Sequence, residues 1–280
     1  MIAAWQKDDL LLADIRARQQ LPGIDLWWLG QSGFLLRTGK RHVLIDPYLS
    51  DSLTNKYAAT DKPHVRMSER VIDPLRLDFI DVVLCTHVHT DHLDPETLAP
   101  LFQVNPALEL VVPAAIRPMA AARAGIHADR PIGLDAGTCY VFEQIQFHAV
   151  PAAHNELDRD AEGRHLYLGY VIKASAFNIY HSGDTLPYDA MEEWLRPFGI
   201  HVALLPINGH QPERRVAGNL NAIQSVQLAQ SLEVDLTIPC HYDMFTFNTA
   251  DVGDFEHLAR QYGIGYRVLR LGERLSLPEA

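Results

Sequence analysis

Nine short runs of apolar and β-branched residues recur along the chain, and they constrain its fold more than any other feature. Runs of this length and composition predict β-strands. They are 24–29, 42–45, 79–85, 108–112, 145–150, 168–174, 177–180, 202–205 and 236–239. Stretches with helical periodicity lie mainly between the later runs, at 95–102, 114–124, 188–198, 221–232 and 252–262. Strand-rich segments followed by strand–helix alternation predict a layered α/β architecture rather than an all-β sandwich.

The chain has no internal repeat and no Gly/Ser-rich linker, so we expect a single domain over residues 1–280. The charged region 1–22 predicts an amphipathic helix that packs on this domain. The segment 49–76 is polar, contains Pro63 and Pro74, and shows no clear periodicity. Long loops in compact domains are usually functional or else disordered. We expect this one to be a lid over a binding site.

The composition limits the partners and the compartment. The formal net charge is −11 and the basic residues are scattered, whereas nucleic-acid binding relies on clustered lysine and arginine. No nucleic-acid partner is therefore expected. No apolar run approaches the roughly 20 residues that cross a bilayer, and the N-terminus lacks an apolar signal segment. We expect a cytoplasmic protein without a membrane-inserted part.

Three cysteines, Cys85, Cys139 and Cys240, cannot all pair with one another, and their neighbours are apolar. This pattern predicts buried thiols rather than a disulfide framework. Cys85 and Cys240 each lie close to a histidine that is discussed below. A role as metal ligand is therefore the alternative to a role as a small core residue.

The run from Thr86 to His92 is the clearest chemical signal in the chain. It reads Thr-His-Val-His-Thr-Asp-His, which places three imidazoles and one carboxylate within six positions. The run begins where the predicted strand 79–85 ends, and Asp94 followed by Pro95 has the pattern of a helix start. We therefore expect a strand-to-helix loop at the carboxyl end of a strand, where α/β proteins place their ligands.

The candidate ligands in this run point in two directions. His87 and His89 face the same way in an extended stretch, whereas Asp91 and His92 follow on a turn, which favours two metal ions. Two metals need further ligands, and these should come from other strand ends. Three metal-competent side chains stand shortly after later predicted strands: His154, Asp184 and His241.

The order of these residues resembles the metallo-β-lactamase superfamily across nearly the whole chain. The shared pattern is His-x-His-x-Asp-His, then His154, then Ser-Gly-Asp-Thr at 182–185 and Pro-Cys-His-Tyr at 239–242. More narrowly, the segments 28–33 and 44–47 make the chain similar to the ascorbate-6-phosphate lactonase branch. The resemblance implies a four-layer αββα sandwich of two similar halves.

The resemblance also implies an assignment of the ligands. It places one metal on His87, His89 and His154, and the second on Asp91, His92 and His241, with Asp184 bridging the two. Asp46, which follows its own strand, would orient a ligand from behind. Two divalent cations are expected. An imidazole-rich site suits Zn²⁺, and Mn²⁺ is the main alternative.

Two divalent cations that share a water lower its pKa toward neutrality and supply hydroxide without a side-chain base. We therefore expect a metal-dependent hydrolase for a small anionic molecule such as a phosphorylated sugar lactone. Asp91 would orient the nucleophile and carry a proton to the leaving group. Asn208 and His210, which follow a strand, are further candidates for substrate contact. A turn held by Asn208 and Gly209 is the alternative.

Other functions stay open, because these ligands serve ester, lactone and phosphodiester cleavage equally well. The alternatives are a phosphodiesterase acting on a nucleotide or lipid, and an iron-based redox protein on the same fold. Arg214 and Arg215 could hold a phosphate or carboxylate, or could lie on a solvated loop. His64 and Arg66 would contribute only if the predicted lid closes. The resemblance also leaves a homo-oligomer open.

Overall fold

Within residues 1–278, which the computed structural model describes, thirteen strands form two mixed β-sheets. The first sheet consists of β1 (Ile24–Gly30), β2 (Gly33–Thr38), β3 (Arg41–Ile45), β4 (Val82–Leu84), β5 (Glu109–Pro113), β6 (Ile132–Leu134) and β13 (Arg274–Leu277). The second consists of β7 (Cys139–Phe142), β8 (Ile145–Pro151), β9 (Leu168–Ala174), β10 (Phe177–His181), β11 (Val202–Pro206) and β12 (Leu236–Cys240).

The two sheets share one strand plan. In the first sheet the order is β13-β1-β2-β3-β4-β5-β6, antiparallel as far as β3 and parallel from there. In the second the order is β7-β8-β9-β10-β11-β12, antiparallel as far as β10 and then parallel. Strands β1, β3 and β4 therefore end at one edge of the first sheet. Strands β8, β10, β11 and β12 end at one edge of the second.

The helices connect and cover these strands. Their bounds are α1 (Asp8–Arg18), α2 (Ser52–Tyr57), α3 (Pro95–Val104), α4 (Arg117–Ala124), α5 (Met191–Leu195), α6 (Ala222–Ser231) and α7 (Val252–Tyr262). Short 3₁₀ turns occur at Pro74–Arg76, Ala114–Ile116, Arg196–Phe198 and Pro212–Arg214. The carboxylate of Asp94 accepts a hydrogen bond from the backbone N–H of Glu96, and Pro95 is the first helical residue. The helix start predicted there is confirmed.

The main hydrophobic core lies between the two sheets, and β9 shows how it is separated from the outer layers. Leu168, Tyr170 and Ile172 belong to the central core, whereas Val171 belongs to a second cluster with Leu228 and Ala229 of α6. Side chains alternate across a strand, so one face of this sheet meets the other sheet and the opposite face meets helices. The predicted four-layer α/β sandwich is confirmed.

The N-terminal region contains α1, which is shorter than the predicted 1–22. Leu11 and Ile15 of this helix are fully buried in the central core. The indole N–H of Trp27 in β1 donates to the carboxylate of Asp14 at 2.8 Å. The helix therefore packs on the first sheet. No helix in the described part of the chain combines the length and the apolar composition that a bilayer span requires.

The segment 49–76, predicted as a lid loop, is partly helical because it contains α2 and the turn Pro74–Arg76. Leu53 and Tyr57 of α2 pack in a small cluster with Phe245, which lies far away in the sequence. This cluster ties the segment to the loop that follows β12. Its role as a lid stays a prediction.

Several elements differ from the sequence prediction. Strands β2, β6, β7 and β13 are not predicted. In β2 the charged Arg37 interrupts the apolar pattern, yet its side chain is fully buried because it pairs with the buried carboxylate of Asp25 at 2.7 Å. The predicted strand 79–85 contracts to β4. The preceding Asp81 instead accepts a hydrogen bond from the backbone N–H of His42 through its side chain.

The predicted helix 188–198 also contracts. It becomes α5 followed by the 3₁₀ turn Arg196–Phe198. Ala190 has a φ of +66°, in the left-handed region, so the helix begins only after it.

The prediction of buried thiols is correct for Cys85 and Cys240 and wrong for Cys139. Cys139 lies on β7, the edge strand of the second sheet, where its side chain reaches solvent. Burial raises the pKa of the Cys85 and Cys240 thiols well above its ordinary value. Neither sulfur belongs to the groups of ligand atoms that come together among the described residues, so these two residues serve as small core side chains.

Candidate metal centre

The candidate ligands come from strand ends that the topology brings to one edge of the sandwich. In the first sheet, the loops after β3 and β4 carry Asp46 and the run from Thr86 to His92. In the second, the loops after β8, β10 and β12 carry His154, Asp184 and His241. Because these strands run in matching directions within each sheet, distant segments of the chain meet here.

Three imidazole nitrogens converge at this edge. Nδ1 of His89 lies 3.0 Å from Nε2 of His87 and 3.0 Å from Nε2 of His154. Neighbouring ligand atoms around a tetrahedral cation with bonds of about 2.0 Å are roughly 3.3 Å apart. The spacing of the three nitrogens therefore fits a metal ion held by these side chains.

Asp184 lies between this group and a second one. Its Oδ2 is 3.5 Å from Nε2 of His154 and 3.3 Å from Nε2 of His241. Its Oδ1 is 3.3 Å from Nε2 of His92. Oδ2 of Asp91 is 3.7 Å from Nε2 of both His92 and His241. The structure thus brings together all seven side chains predicted as ligands, in overlapping groups whose ligand atoms lie within 4.8 Å of one another.

The atoms of this cluster that have no hydrogen-bond partner among the described residues include Nε2 of His92 and Oδ1 of Asp184. Buried polar atoms are normally paired, so each such atom requires an explanation. These two face each other, and a cation between them would satisfy both. Imidazole and carboxylate together suit zinc, manganese and iron. The residues fit a metal centre, but several divalent metals suit this set of ligands.

The protonation states of three imidazoles and of Asp184 suit metal binding. Burial lowers the pKa of His87 and His89, and it lowers the pKa of His154 to about 4, so these imidazoles are neutral at pH 7. Burial disfavours an ionised Asp184, but the charges of His241 and His92 outweigh it and hold the pKa of this carboxyl well below its ordinary value. Neutral imidazole and ionised carboxylate are the forms that bind cations. Burial lowers the pKa of His92 and His241, but the charge of Asp184 and its neighbouring carboxylates outweighs burial and raises it, so these two imidazoles release a proton when a cation binds.

Asp46 holds the base of the histidine run in place. The backbone N–H and the hydroxyl of Thr86 donate to its carboxylate at 2.8 and 2.6 Å. Nδ1 of His92 lies 2.7 Å from Oδ2 of the same carboxylate, which leaves Nε2 directed toward the cluster. This is the supporting contact predicted for Asp46.

Gly183 allows the loop after β10 to approach this run closely. Its φ is +60°, and an added Cβ would lie 2.7 Å from Cβ of Thr86. Glycine is therefore the residue that fits beside Thr86 and lets Asp184 enter the cluster.

One residue of this centre, Gln31, is not among the predicted site residues, and it directly follows β1. Its side-chain Nε2 lies 2.9 Å from Oδ2 of Asp91 and 3.2 Å from Nε2 of His241. The sequence offers one signal for it, because Gln31 is a polar residue at the end of β1, which runs in the same direction as β3. Its side chain could be placed only once the two sheets were together.

Asn208 and His210 do not reach the cluster. The amide of Asn208 is buried and pairs with the amides of Asn219 and Asn248, while Arg214 donates to its backbone carbonyl. His210 is exposed on the following loop. Neither Asn208 nor His210 lines the cavity over the metal centre.

A cavity of about 550 Å³ opens over the cluster. Five candidate ligands line it: His89, Asp91, His154, Asp184 and His241. Other lining side chains come from the segment 49–76 and from the loops around 215–217 and 245–248. A second cavity, of about 710 Å³, lies beside α5 and α6 and contains none of the candidate ligands. The cavity over the cluster is therefore the candidate substrate site.

Comparison with known proteins agrees with this geometry. Residues 41–242 match the family model of the beta-lactamase superfamily domain, which covers more than two thirds of the chain. A UPF0173 metal-dependent hydrolase from Pyrococcus furiosus is 30% identical over 91% of this chain and 100% of the relative.

Solved structures show the same fold. A metallo hydrolase from Ignicoccus hospitalis has a TM-score of 0.67 at 21% identity, covering 92% of this chain and 99% of that one. An isothiocyanate hydrolase from Delia radicum gut bacteria has a TM-score of 0.72 at 19% identity, covering 90% and 100%. The narrower prediction of an ascorbate-6-phosphate lactonase-like branch is not confirmed by these relatives. The chain belongs to the beta-lactamase superfamily and to its UPF0173 metal-dependent hydrolases, and it has the metallo-β-lactamase fold.

Proposed function

We propose that the protein is a dinuclear metal-dependent hydrolase that cleaves an ester or lactone bond in a small anionic molecule. The observation that carries this proposal is the position of Asp184. One of its oxygens lies 3.3 Å from Nε2 of His92, and the other lies 3.5 Å from Nε2 of His154. A single carboxylate that reaches both groups of histidines supports two adjacent cations bridged by Asp184.

Each metal has its own set of ligands in this proposal. The first would be held by His87, His89 and His154, and the second by Asp91, His92 and His241, with Asp184 shared. We favour Zn²⁺ because five of the seven ligands are imidazoles, and Mn²⁺ is the main alternative. When bound, such a pair supplies an activated hydroxide and the positive charge that polarises the bond to be cleaved.

Asp91, like His89, is a candidate ligand that solvent reaches. The side chain of Asp91 is 16% exposed and lines the cavity, whereas the side chain of His92 is fully buried. A carboxylate at this border can orient a nucleophile from one side and pass a proton to the leaving group on the other. Asp91 therefore combines a ligand role with the proposed proton transfer.

The cavity lining supports an anionic substrate. Lys56, Lys62, Arg123 and Arg215 contribute cationic groups, while the carboxylates of the lining are Asp91 and Asp184 of the metal centre. The chain as a whole carries a net charge of −11, so this local excess of cations opposes the global balance. A cleft lined by one sign of charge attracts ligands of the opposite sign.

The same cavity has a surface suited to a small polar ring. The ring of His64 stacks on Tyr57 at 4.2 Å and lies 4.4 Å from Phe247, measured between ring centroids. Nδ1 of His64 must donate to the backbone carbonyl of Lys62 at 2.9 Å, since a carbonyl can only accept. The neutral imidazole then presents Nε2 as an acceptor. Rings with an adjacent acceptor suit a sugar-like lactone that carries hydroxyls.

His64, Tyr57 and Lys62 belong to the segment 49–76, which supports the proposal that this segment acts as a lid. The carboxylate of Asp61 pairs with Arg215 at 2.7 Å and links the segment to the loop on the other side of the cavity. A substrate would therefore contact both segments as it binds.

The experiment that tests the function is a hydrolysis screen of the zinc- and manganese-loaded protein. The panel pairs phosphorylated sugar lactones with their unphosphorylated counterparts, and adds phosphodiesters of nucleotides and lipids. We expect turnover of the phosphorylated lactones and weaker turnover of the neutral ones. Turnover of phosphodiesters alone would replace the proposed function with the phosphodiesterase alternative.

A further inference from the structure

Gln31 is a fully buried amide whose backbone is held in an unusual conformation. Its φ is +52°, in the left-handed region that residues other than glycine rarely adopt. The backbone carbonyl accepts two hydrogen bonds, from the indole N–H of Trp28 at 2.9 Å and from the backbone N–H of His241 at 3.0 Å. A residue of the adjoining strand β1 and a distant segment thus fix where the side chain begins, and the distant segment carries a candidate metal ligand.

The side chain ends at the group proposed for the second metal. Nε2 of Gln31 donates to Oδ2 of Asp91 at 2.9 Å and lies 3.2 Å from Nε2 of His241. That same oxygen of Asp91 faces Nε2 of His92 and of His241 at 3.7 Å. A carboxylate oxygen has two lone pairs, so Oδ2 can bind a cation with one and accept from Gln31 with the other.

Filling space does not explain an amide at this position. Oε1 of Gln31 is buried and has no hydrogen-bond partner among the described residues. An unpaired buried acceptor destabilises the folded state, and a methionine of similar shape would avoid that loss. What the amide provides and an apolar side chain does not is its N–H toward Asp91.

We infer that Gln31 is a positioning residue for the second metal, the one assigned to Asp91, His92 and His241. Its N–H fixes the carboxylate of Asp91 so that Oδ2 faces the two histidines. This inference rests on the proposed dinuclear function. It goes beyond that proposal because it states that a residue that binds no metal sets the affinity of the second site without changing that of the first.

The test is a cobalt titration of chelator-treated protein, in which both binding affinities and the visible absorption of each bound Co²⁺ are measured. In Gln31→Met, the first equivalent should bind as in the wild type. The second should bind roughly 10- to 100-fold more weakly, the loss typical of removing a group that supports a ligand. The absorption of the second Co²⁺ should also change, which a purely structural role would not produce.

Asn219→Leu is the matched control. Asn219 is also buried, and its Oδ1 is also without a partner among the residues described, but its amide faces Asn208 instead of the metal centre. The control should bind both equivalents as the wild type does. Should Gln31→Met fail to fold, Gln31→Asn keeps the amide but is too short to reach Asp91, and the same selective weakening is expected.

The possible results separate the two proposals. Wild-type affinity for the second Co²⁺ in Gln31→Met or Gln31→Asn would overturn the role of Gln31 and leave the dinuclear function intact. Binding of a single Co²⁺ by the wild type would overturn both.

Discussion

The carboxylate of Asp46 lies 2.7 Å from Nδ1 of His92, so a buried acid holds a candidate metal ligand from behind. Replacement of Asp46 by Asn keeps the shape but removes the charge and one acceptor oxygen. We expect metal affinity to fall roughly 10- to 100-fold, because groups that orient a ligand typically contribute that much. We also expect the metal-free protein to lose about 1–3 kcal/mol of unfolding free energy, since a buried donor loses its partner.

Metal competition against a chelator and urea unfolding of the metal-free protein measure these two effects separately. Asp94→Asn is a control for the loss of a buried acid near the same loop, because Asp94 pairs with Ser52 and Thr97 and caps α3. This control should lose stability but retain metal affinity. Equal metal affinity in Asp46→Asn and the wild type would show that Asp46 only supports the fold.

Asp184 reaches both groups of histidines through its two carboxylate oxygens. Asp184→Ala should therefore leave at most one tightly bound metal per chain and lower kcat/KM by more than about 100-fold, beyond the effect of a group that only supports a ligand. Elemental analysis and steady-state kinetics provide the two measurements. Asp189→Ala, an exposed position on the same loop, should behave as the wild type. Retained activity in Asp184→Ala would rule out the bridging role.

His42 gives the metal-free protein a defined dependence on pH. Burial lowers the pKa of His42 to about 4, whereas an unfolded histidine titrates near 6.5. The unfolded chain therefore binds the additional proton between these values. The free energy of unfolding therefore has its full value above about pH 6.5. It falls by about 3 kcal/mol as the pH decreases toward 4.

Urea unfolding of the metal-free protein at pH 7.5 and 4.5 tests this effect. His42→Leu should lose less stability between the two pH values than the wild type, by about 2–3 kcal/mol. His127→Leu, at an exposed histidine, should retain the wild-type difference. If His42→Leu and the wild type lost the same free energy, the titration of His42 would not contribute.

Cations at the cavity should act mainly on substrate capture. Lys62 and Arg215 line the cavity but are not candidate ligands. Lys62→Gln and Arg215→Gln should each raise KM roughly 3- to 10-fold for an anionic substrate, weaken its dependence on salt, and leave kcat nearly unchanged. Lys40→Gln, at an exposed turn away from the cavity, is the control. A fall in kcat at constant KM would instead place these side chains in the chemical step.

Much of the metal centre is predictable because its ligands are recognised from residues that are neighbours in the sequence. The run from Thr86 to His92 needs only a strand before it and a helix after it, and the structure has both. Asp184 and His241 follow apolar strands in the same way. Parallel strand ends meet at one edge, so the ligands could be collected without knowledge of the side-chain packing.

Other features depend on contacts between distant segments. Gln31 reaches Asp91 because its backbone adopts a positive φ and because His241 binds its carbonyl. Arg37 lies inside a strand because Asp25 neutralises it and backbone carbonyls accept its remaining N–H groups. Asn208 follows a strand as predicted, but its amide pairs with other amides rather than facing the cavity. No pattern of neighbouring residues specifies such pairs.

The central claim is that two metal ions share Asp184 in a hydrolytic site, and metal content is its most direct measure. Elemental analysis of protein purified without added metal, combined with the hydrolysis screen on the same sample, decides it. We predict two divalent ions per chain, zinc or manganese, together with hydrolysis of a phosphorylated lactone. One iron per chain without any hydrolysis would contradict the account.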